Sequence, residues 1–77
     1  MFMKNIYYGI KSKGVSSKNI CDWTNEYHLN RSETHCYFYD GGGIFFETKE
    51  NEHALKHKLE REFNIELSDP HPVKDYL

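Results

Sequence analysis

Thr34-His35-Cys36-Tyr37-Phe38-Tyr39-Asp40-Gly41-Gly42-Gly43-Ile44-Phe45-Phe46-Glu47-Thr48 is the stretch that decides the fold of this 77-residue chain. Two short β-prone runs flank Asp40 and three glycines, residue types that accept the positive φ angles of a tight hairpin turn. Successive strand residues point to opposite faces of a sheet. In the first run Cys36 and Phe38 share one face, and His35, Tyr37 and Tyr39 share the other. In the second, Ile44 and Phe46 face one way and Phe45 the other. The hairpin is therefore aromatic on both sides. One side can build a core, and the other must stand against something else.

On the N-terminal side, Met3 to Lys11 alternates, with Ile6, Tyr8 and Ile10 opposite Asn5, Tyr7 and Gly9, which is strand periodicity. Lys11 to Lys18 is a polar loop, and a serine just before a helical pattern is an N-cap signal. From about Ser17 to His28 the spacing of Ile20, Trp23 and Tyr27 makes one helical stripe, with Leu29 extending its buried end and Asn30 as a left-handed stop. After the hairpin, Thr48 reads as the cap of a second helix. Glu50 and Glu52 sit in its first turn, where the helix dipole favours carboxylates. Leu55, Leu59 and Phe63 form its apolar stripe, Ala54 lies to one side, and the helix fades by Asn64. Ile65-Glu66-Leu67 reads as a short edge strand or a packed tail. Asp69-Pro70-His71-Pro72 is extended, because each proline disfavours helix at the residue before it.

The expected architecture is one α+β domain over residues 1–77. It has a small antiparallel sheet of three or four strands in the order β-α-β-β-α(-β), with two helices on one face, a reduced ferredoxin-like layout. Residues 68–77 are expected as an extended C-terminal tail. A different strand order, or a dimer that completes the sheet, is also compatible with the pattern. A chain this short buries only roughly 60–65% of its unfolded surface, which excludes a second domain and a deep enclosed active site.

Ten Lys plus Arg stand against twelve Asp plus Glu. Up to Arg31 there are five basic and two acidic residues, and from Ser32 on five basic and ten acidic. That balance does not suit non-specific duplex DNA binding, which needs many phosphate contacts. The N-terminus lacks a signal-peptide pattern and no segment has the length of a membrane span, so a cytoplasmic protein with free thiols at Cys21 and Cys36 is expected. No membrane partner and no cofactor are expected.

With the helices over Ile6, Tyr8, Ile10, Cys36, Phe38, Ile44 and Phe46, the open face of the sheet shows Tyr7, His35, Tyr37, Tyr39 and Phe45. Exposed apolar patches of this kind mark contact sites, and aromatics are enriched at interface hot spots. Three readings follow. The C-terminal tail or a second copy of the chain covers the rings, a partner protein docks on them, or they stack the bases of a single-stranded nucleic acid.

Other constellations are weaker. His53 and His57 lie one helical turn apart, with Cys21 and Cys36 as further zinc donors. Both histidines, however, project about 140° from the centre of the Leu55–Leu59–Phe63 stripe, beneath which Cys36 is expected, so no metal site is assigned. His35 and Cys36 are adjacent in a strand and point apart, which argues against a nucleophile–base pair; no catalytic residue is assigned and no enzyme is expected. Cys21 reads as a small residue at the core edge. Lys11, Lys13, Ser16, Ser17 and Lys18 lead into a helix N-terminus and form a candidate anion contact.

Two resemblances bear on function. Ile6-Tyr7-Tyr8-Gly9-Ile10 and Gly43-Ile44-Phe45-Phe46 resemble the two sheet motifs of the RNA-recognition-motif family, with Tyr7 and Phe45 near its stacking positions. No Lys or Arg precedes the glycines here, and Asp40 stands in the adjoining loop. Phe38 to Thr48, followed by Glu52-His53-Ala54-Leu55-Lys56-His57-Lys58-Leu59, resembles the ending of many very small bacteriophage accessory proteins, although His57 stands where those carry a bulky residue. That resemblance implies a host-takeover or anti-defence protein that binds a host enzyme or defence complex, in the manner of an anti-CRISPR or antitoxin-like inhibitor, in the host cytoplasm. It carries over no functional residues. The expected function is a small non-enzymatic inhibitor that occludes a host protein or protein complex. The alternatives are a single-stranded nucleic-acid binder that adds Lys4, Lys11 and Lys13 to the same rings, and a homodimer joined through the aromatic face.

Overall fold

The computed structural model describes residues 3–27, 33–39 and 42–73, with the side chains of Tyr27, Phe38 and Tyr39 outside the described set. The elements run β1 (Lys4–Gly9), α1 (Ser17–Tyr27), β2 (His35–Tyr39), β3 (Gly43–Thr48), α2 (Glu52–Phe63) and β4 (His71–Pro72). The four strands form one sheet in the order β2-β3-β1-β4, and every neighbouring pair is antiparallel. The hairpin partner β3 is thus inserted between β1 and β2, so α1 bridges two strands that are not neighbours. The α+β mix with two helices and a four-stranded antiparallel sheet agrees with the sequence reading. The fourth strand is at His71–Pro72 rather than at Ile65–Leu67. Ile65 and Leu67 turn inward instead, at 9% and 2% exposure, and Leu67 makes an isolated bridge to Ile10.

The core lies where the period-two pattern placed it. Ile6, Tyr8, Cys36, Ile44 and Phe46 are buried together with Ile20 and Cys21 of α1 and Leu55 and Leu59 of α2. Ile10, Val15, Trp23 and Phe63 pack at its margin, and the Trp23 and Phe63 rings meet edge-on at 5.5 Å to join the two helices. Burial, with Glu52 and Glu50 nearby, pushes the Tyr8 phenol well above its usual range; its hydroxyl donates to the Glu52 carbonyl at the start of α2. A buried hydroxyl is costly unless it is bonded, so this contact fixes where α2 begins over β1.

The helix ends differ in one respect from expectation. Ser16 caps α1, its hydroxyl accepting from the Lys18 N–H at 3.1 Å. The cap of α2 is Asn51, whose Oδ1 accepts from His53 and Ala54 N–H groups at 2.9 and 3.1 Å, and not Thr48. Thr48 is still in β3, opposite Lys4. Its fully buried hydroxyl bonds Thr34 at 2.6 Å and accepts from the Glu50 N–H at 2.9 Å. Glu50 therefore precedes the helix and pairs with Lys58 at 2.9 Å. Asn64 ends α2 in the left-handed region, at φ 53°, as expected. The expected extension through Leu29 and Asn30 lies outside the described residues.

The expectation of free thiols is overturned: Cys21 and Cys36 form a disulfide, with Cα atoms 4.9 Å apart. The physical reason is the placement of the helices. Cys36 was expected beneath α2, but α1 lies against β2 and brings Cys21 directly over it. Both sulfurs are buried. The same contact seals the outer edge of β2, because the Asn25 side chain accepts from the Cys36 N–H at 2.9 Å and donates to the Cys36 carbonyl at 3.3 Å. An open strand edge is a template for unwanted pairing, and this side-chain amide occupies it as another strand would.

The other edge is closed by the tail. Glu66 accepts from the Lys11 N–H, Ser68 donates its N–H to Gly9, and Val73 donates to Asn5, each at 2.9 Å. The turn into this tail is held by Glu60, whose carboxylate accepts from the Leu67 N–H at 2.9 Å and pairs with Lys56 at 3.3 Å. Burial pushes the Glu60 carboxyl up, but the Leu67 N–H and Lys56 outweigh it and hold the group below the usual carboxylate range. At Glu52 its own backbone N–H and Lys4 act in the same direction.

Two outcomes test this account. A folded-state pKa below the unfolded value adds stability that is present above the unfolded pKa and is lost as pH falls through the folded one. Thermal unfolding should therefore shift downward as pH is lowered through and below about 4.5, and Glu60→Gln should flatten that dependence. Joint replacement of Cys21 and Cys36 by Ala removes a cross-link across a sequence separation of 15. Urea unfolding should then show a loss of roughly 3 kcal/mol, and dithiothreitol should destabilise the parent chain but not the variant.

Candidate functional site: an aromatic row across the open face

The register of the sheet aligns one residue from each strand on the side away from the helices. Tyr37 of β2 is opposite Phe45 of β3, Phe45 is opposite Tyr7 of β1, and Tyr7 is opposite His71 of β4. The Tyr7 and Phe45 ring centroids are 5.0 Å apart with planes tilted by 49°, and Tyr7 and His71 are 6.2 Å apart. His35 stacks along β2 on Tyr37, with centroids 6.5 Å apart and planes 23° apart. Of the five residues expected on this face, Tyr7, His35, Tyr37 and Phe45 are there. The Tyr39 side chain lies outside the described residues.

Tyr7 is seated by a glycine. A methyl group added at Gly43 would run into the Tyr7 ring, so the ring lies over the backbone of β3 where a side chain is missing. Gly43 does not adopt a positive φ, unlike Gly42 at 83°, so close approach of the ring is what requires glycine at 43. Tyr7 is half-buried, as are Tyr37 and Phe45, while His35 and His71 are exposed.

The second row of the face is polar. Glu47 stands opposite both His35 and Asn5. Its Oε1 accepts from the Tyr37 hydroxyl at 3.2 Å, and partial burial followed by this bond raises the Tyr37 phenol above its ordinary range. Within the four strands, no described residue on this face is Lys or Arg.

His71 was missed by the sequence reading. Pro70 and Pro72 signal an extended backbone, but nothing local says which strand that backbone joins. Up to Val73 the tail runs beside β1 and adds His71 to the row instead of lying over it. The 2-residue β4 tolerates Pro72 because it is an edge strand.

The candidate anion loop is engaged within the protein at several points. The Ser16 hydroxyl caps α1, Ser17 donates to the Gly43 carbonyl at 3.2 Å, and Lys18 pairs with Asp22 at 2.9 Å. Lys11 and Lys13 are exposed on the loop. His53 and His57 are exposed on α2, away from the disulfide. His35 and Cys36 point to opposite faces, and the Cys36 sulfur is bonded to Cys21. A groove of about 270 Å³ between the N-terminal end of α2 and the tail is lined by Lys4, Glu52, His53, Asp69 and Pro70 among others; Lys4 and Glu52 pair there at 3.0 Å.

Comparison with protein-family models, with curated proteins and with solved structures returned no match. The face itself therefore carries the functional argument. Gly43→Ala should lift the Tyr7 ring off the sheet. The Tyr7 and Phe45 ring protons should lose their mutual ring-current shifts in NMR spectra, at a stability cost of about 1–3 kcal/mol.

Proposed function

We propose that this chain is a small non-enzymatic binding protein whose working surface is the open aromatic face of its sheet, and that it acts by occluding the surface of another protein. The observation that carries this reading is the unbroken row Tyr37–Phe45–Tyr7–His71 across all four strands. Rigid rings bury large areas with few rotatable bonds, which is why they dominate interface energetics. Asn25 engages the β2 edge and the tail covers the β1 edge, so docking by strand addition is disfavoured there and the face is favoured. The helix-side core gives the face a rigid backing.

The split arrangement, with β3 between β1 and β2 and β4 outside β1, supports reading the architecture as a reduced ferredoxin-like fold. Within the binding role, the resemblance of the hairpin and second helix to small phage proteins supports a host-directed inhibitor of an enzyme or defence complex. The cytoplasmic placement loses the support it drew from free thiols. Beside it stands the fact that no described helix is long and apolar enough to cross a membrane.

The second reading is base stacking. The adjacency of Tyr7 and Phe45 on the two central strands favours it, and the lack of Lys or Arg on this face within the four described strands weighs against it, since phosphate contacts dominate single-strand affinity. A homodimer through the same rings is the third.

Joint replacement of Tyr37 and Phe45 by Ala should leave the far-ultraviolet spectrum and the fold intact while weakening capture of a partner protein at least about 30-fold. Capture should survive nuclease treatment and moderate salt. Unfolding of the double variant would make the rings structural. Nuclease-sensitive capture would favour the nucleic-acid reading, and a concentration-dependent dimer mass lost in the variant would favour self-association.

A further inference from the structure

The chemistry of the open face narrows the kind of partner it fits. The face combines three kinds of group: the half-buried rings of Tyr7 and Phe45, the Tyr37–His35 stack, and the Glu47 carboxylate in the neighbouring row. Lysines pair with Glu33, Glu50, Glu52, Glu60 and Asp22. Glu47 instead meets a phenol, and among the described residues no Lys or Arg pairs with it. A carboxylate without a lysine or arginine partner among the described residues, set beside electron-rich rings, makes a site complementary to a cation. The planar guanidinium of arginine matches it best, because it stacks on a ring and bonds a carboxylate with the same atoms.

Building on the protein-binding role proposed above, we infer that the aromatic face receives an arginine-bearing segment of its partner, the guanidinium lying on the Tyr7–Phe45 pair and bonding the Glu47 carboxylate. The Tyr37 hydroxyl, bonded to Glu47 Oε1, positions that carboxylate on the face. Gly43 serves the same end by letting the Tyr7 ring approach the backbone of β3. Acidic partners and phosphate backbones meet Glu47 as a like charge and are disfavoured.

The test uses the full chain, labelled with nitrogen-15, and four probes: a capped Gly-Arg-Gly-Arg-Gly peptide, its Lys and Glu counterparts, and a short oligothymidylate. The Arg peptide should shift the amides of Tyr7, Phe45 and Glu47, with affinity in the order Arg, Lys, Glu. Glu47→Gln should weaken the Arg peptide roughly fivefold with little change elsewhere in the spectrum. Lys58→Gln, on the helical side of the protein, should leave it unchanged. The inference is overturned if the Glu peptide or the oligothymidylate binds as tightly as the Arg peptide. It is overturned too if Glu47→Gln has no effect, or if the Arg peptide moves no amide of this face at millimolar concentration. Binding of the Glu peptide that is lost on joint replacement of Tyr37 and Phe45 would sink the arginine inference and leave the protein-binding role standing. Capture of a partner unaffected by that double replacement would sink the role itself.

Discussion

The antiparallel pairing of β1 with β3, in the register that puts Tyr7 opposite Phe45 and Ile6 opposite Phe46, is the constraint on which the rest of this structure depends. Side chains alternate along a strand, so a one-residue slip of β1 would exchange its two faces. Ile6 and Tyr8 would leave the core together, and the outward row would break up. The register also sets the hydroxyl of Tyr8 under the start of α2 and brings Gly43 beneath the Tyr7 ring. Both faces of the sheet are therefore decided by one ladder at its centre.

The periphery is closed by specific contacts, as a small chain requires. The disulfide ties α1 to β2, and Asn25, one helical turn further on, engages the backbone of the same strand. On the opposite side Glu60 turns the chain out of α2, and the segment from Glu66 to Val73 follows β1 bond by bond. These two closures leave the aromatic face as the broad apolar surface of the described sheet.

That face differs from the core in composition as well as in exposure. The core side is aliphatic and aromatic with hydroxyls bonded inside, whereas the outer side pairs rings with two histidines and a carboxylate. The phenol-to-carboxylate contact between Tyr37 and Glu47 orders one end of the surface, and the glycine-seated Tyr7 orders its centre. An ordered apolar surface loses little side-chain freedom on association, which suits a protein that works by binding.

By itself the sequence determined the element types, most of their limits and the two faces of the hairpin, because these follow from local periodicity. Alternation in Met3–Lys11 and His35–Glu47, the stripe of Ile20 with Trp23, and the stripe of Leu55 with Leu59 and Phe63 were all legible. The cap of α2 was misplaced because Thr48 and Asn51 are both good caps, and only the length of β3 decides between them. The disulfide was hidden for a different reason: which helix lies over which strand is a property of strand order, and strand order is set by contacts far apart in the chain. The same holds for His71. Its prolines announced an extended segment, but its place at the end of the aromatic row exists only because the tail found the free edge of β1. Local pattern told which residues would face outward, and long-range pairing alone decided which of them would meet.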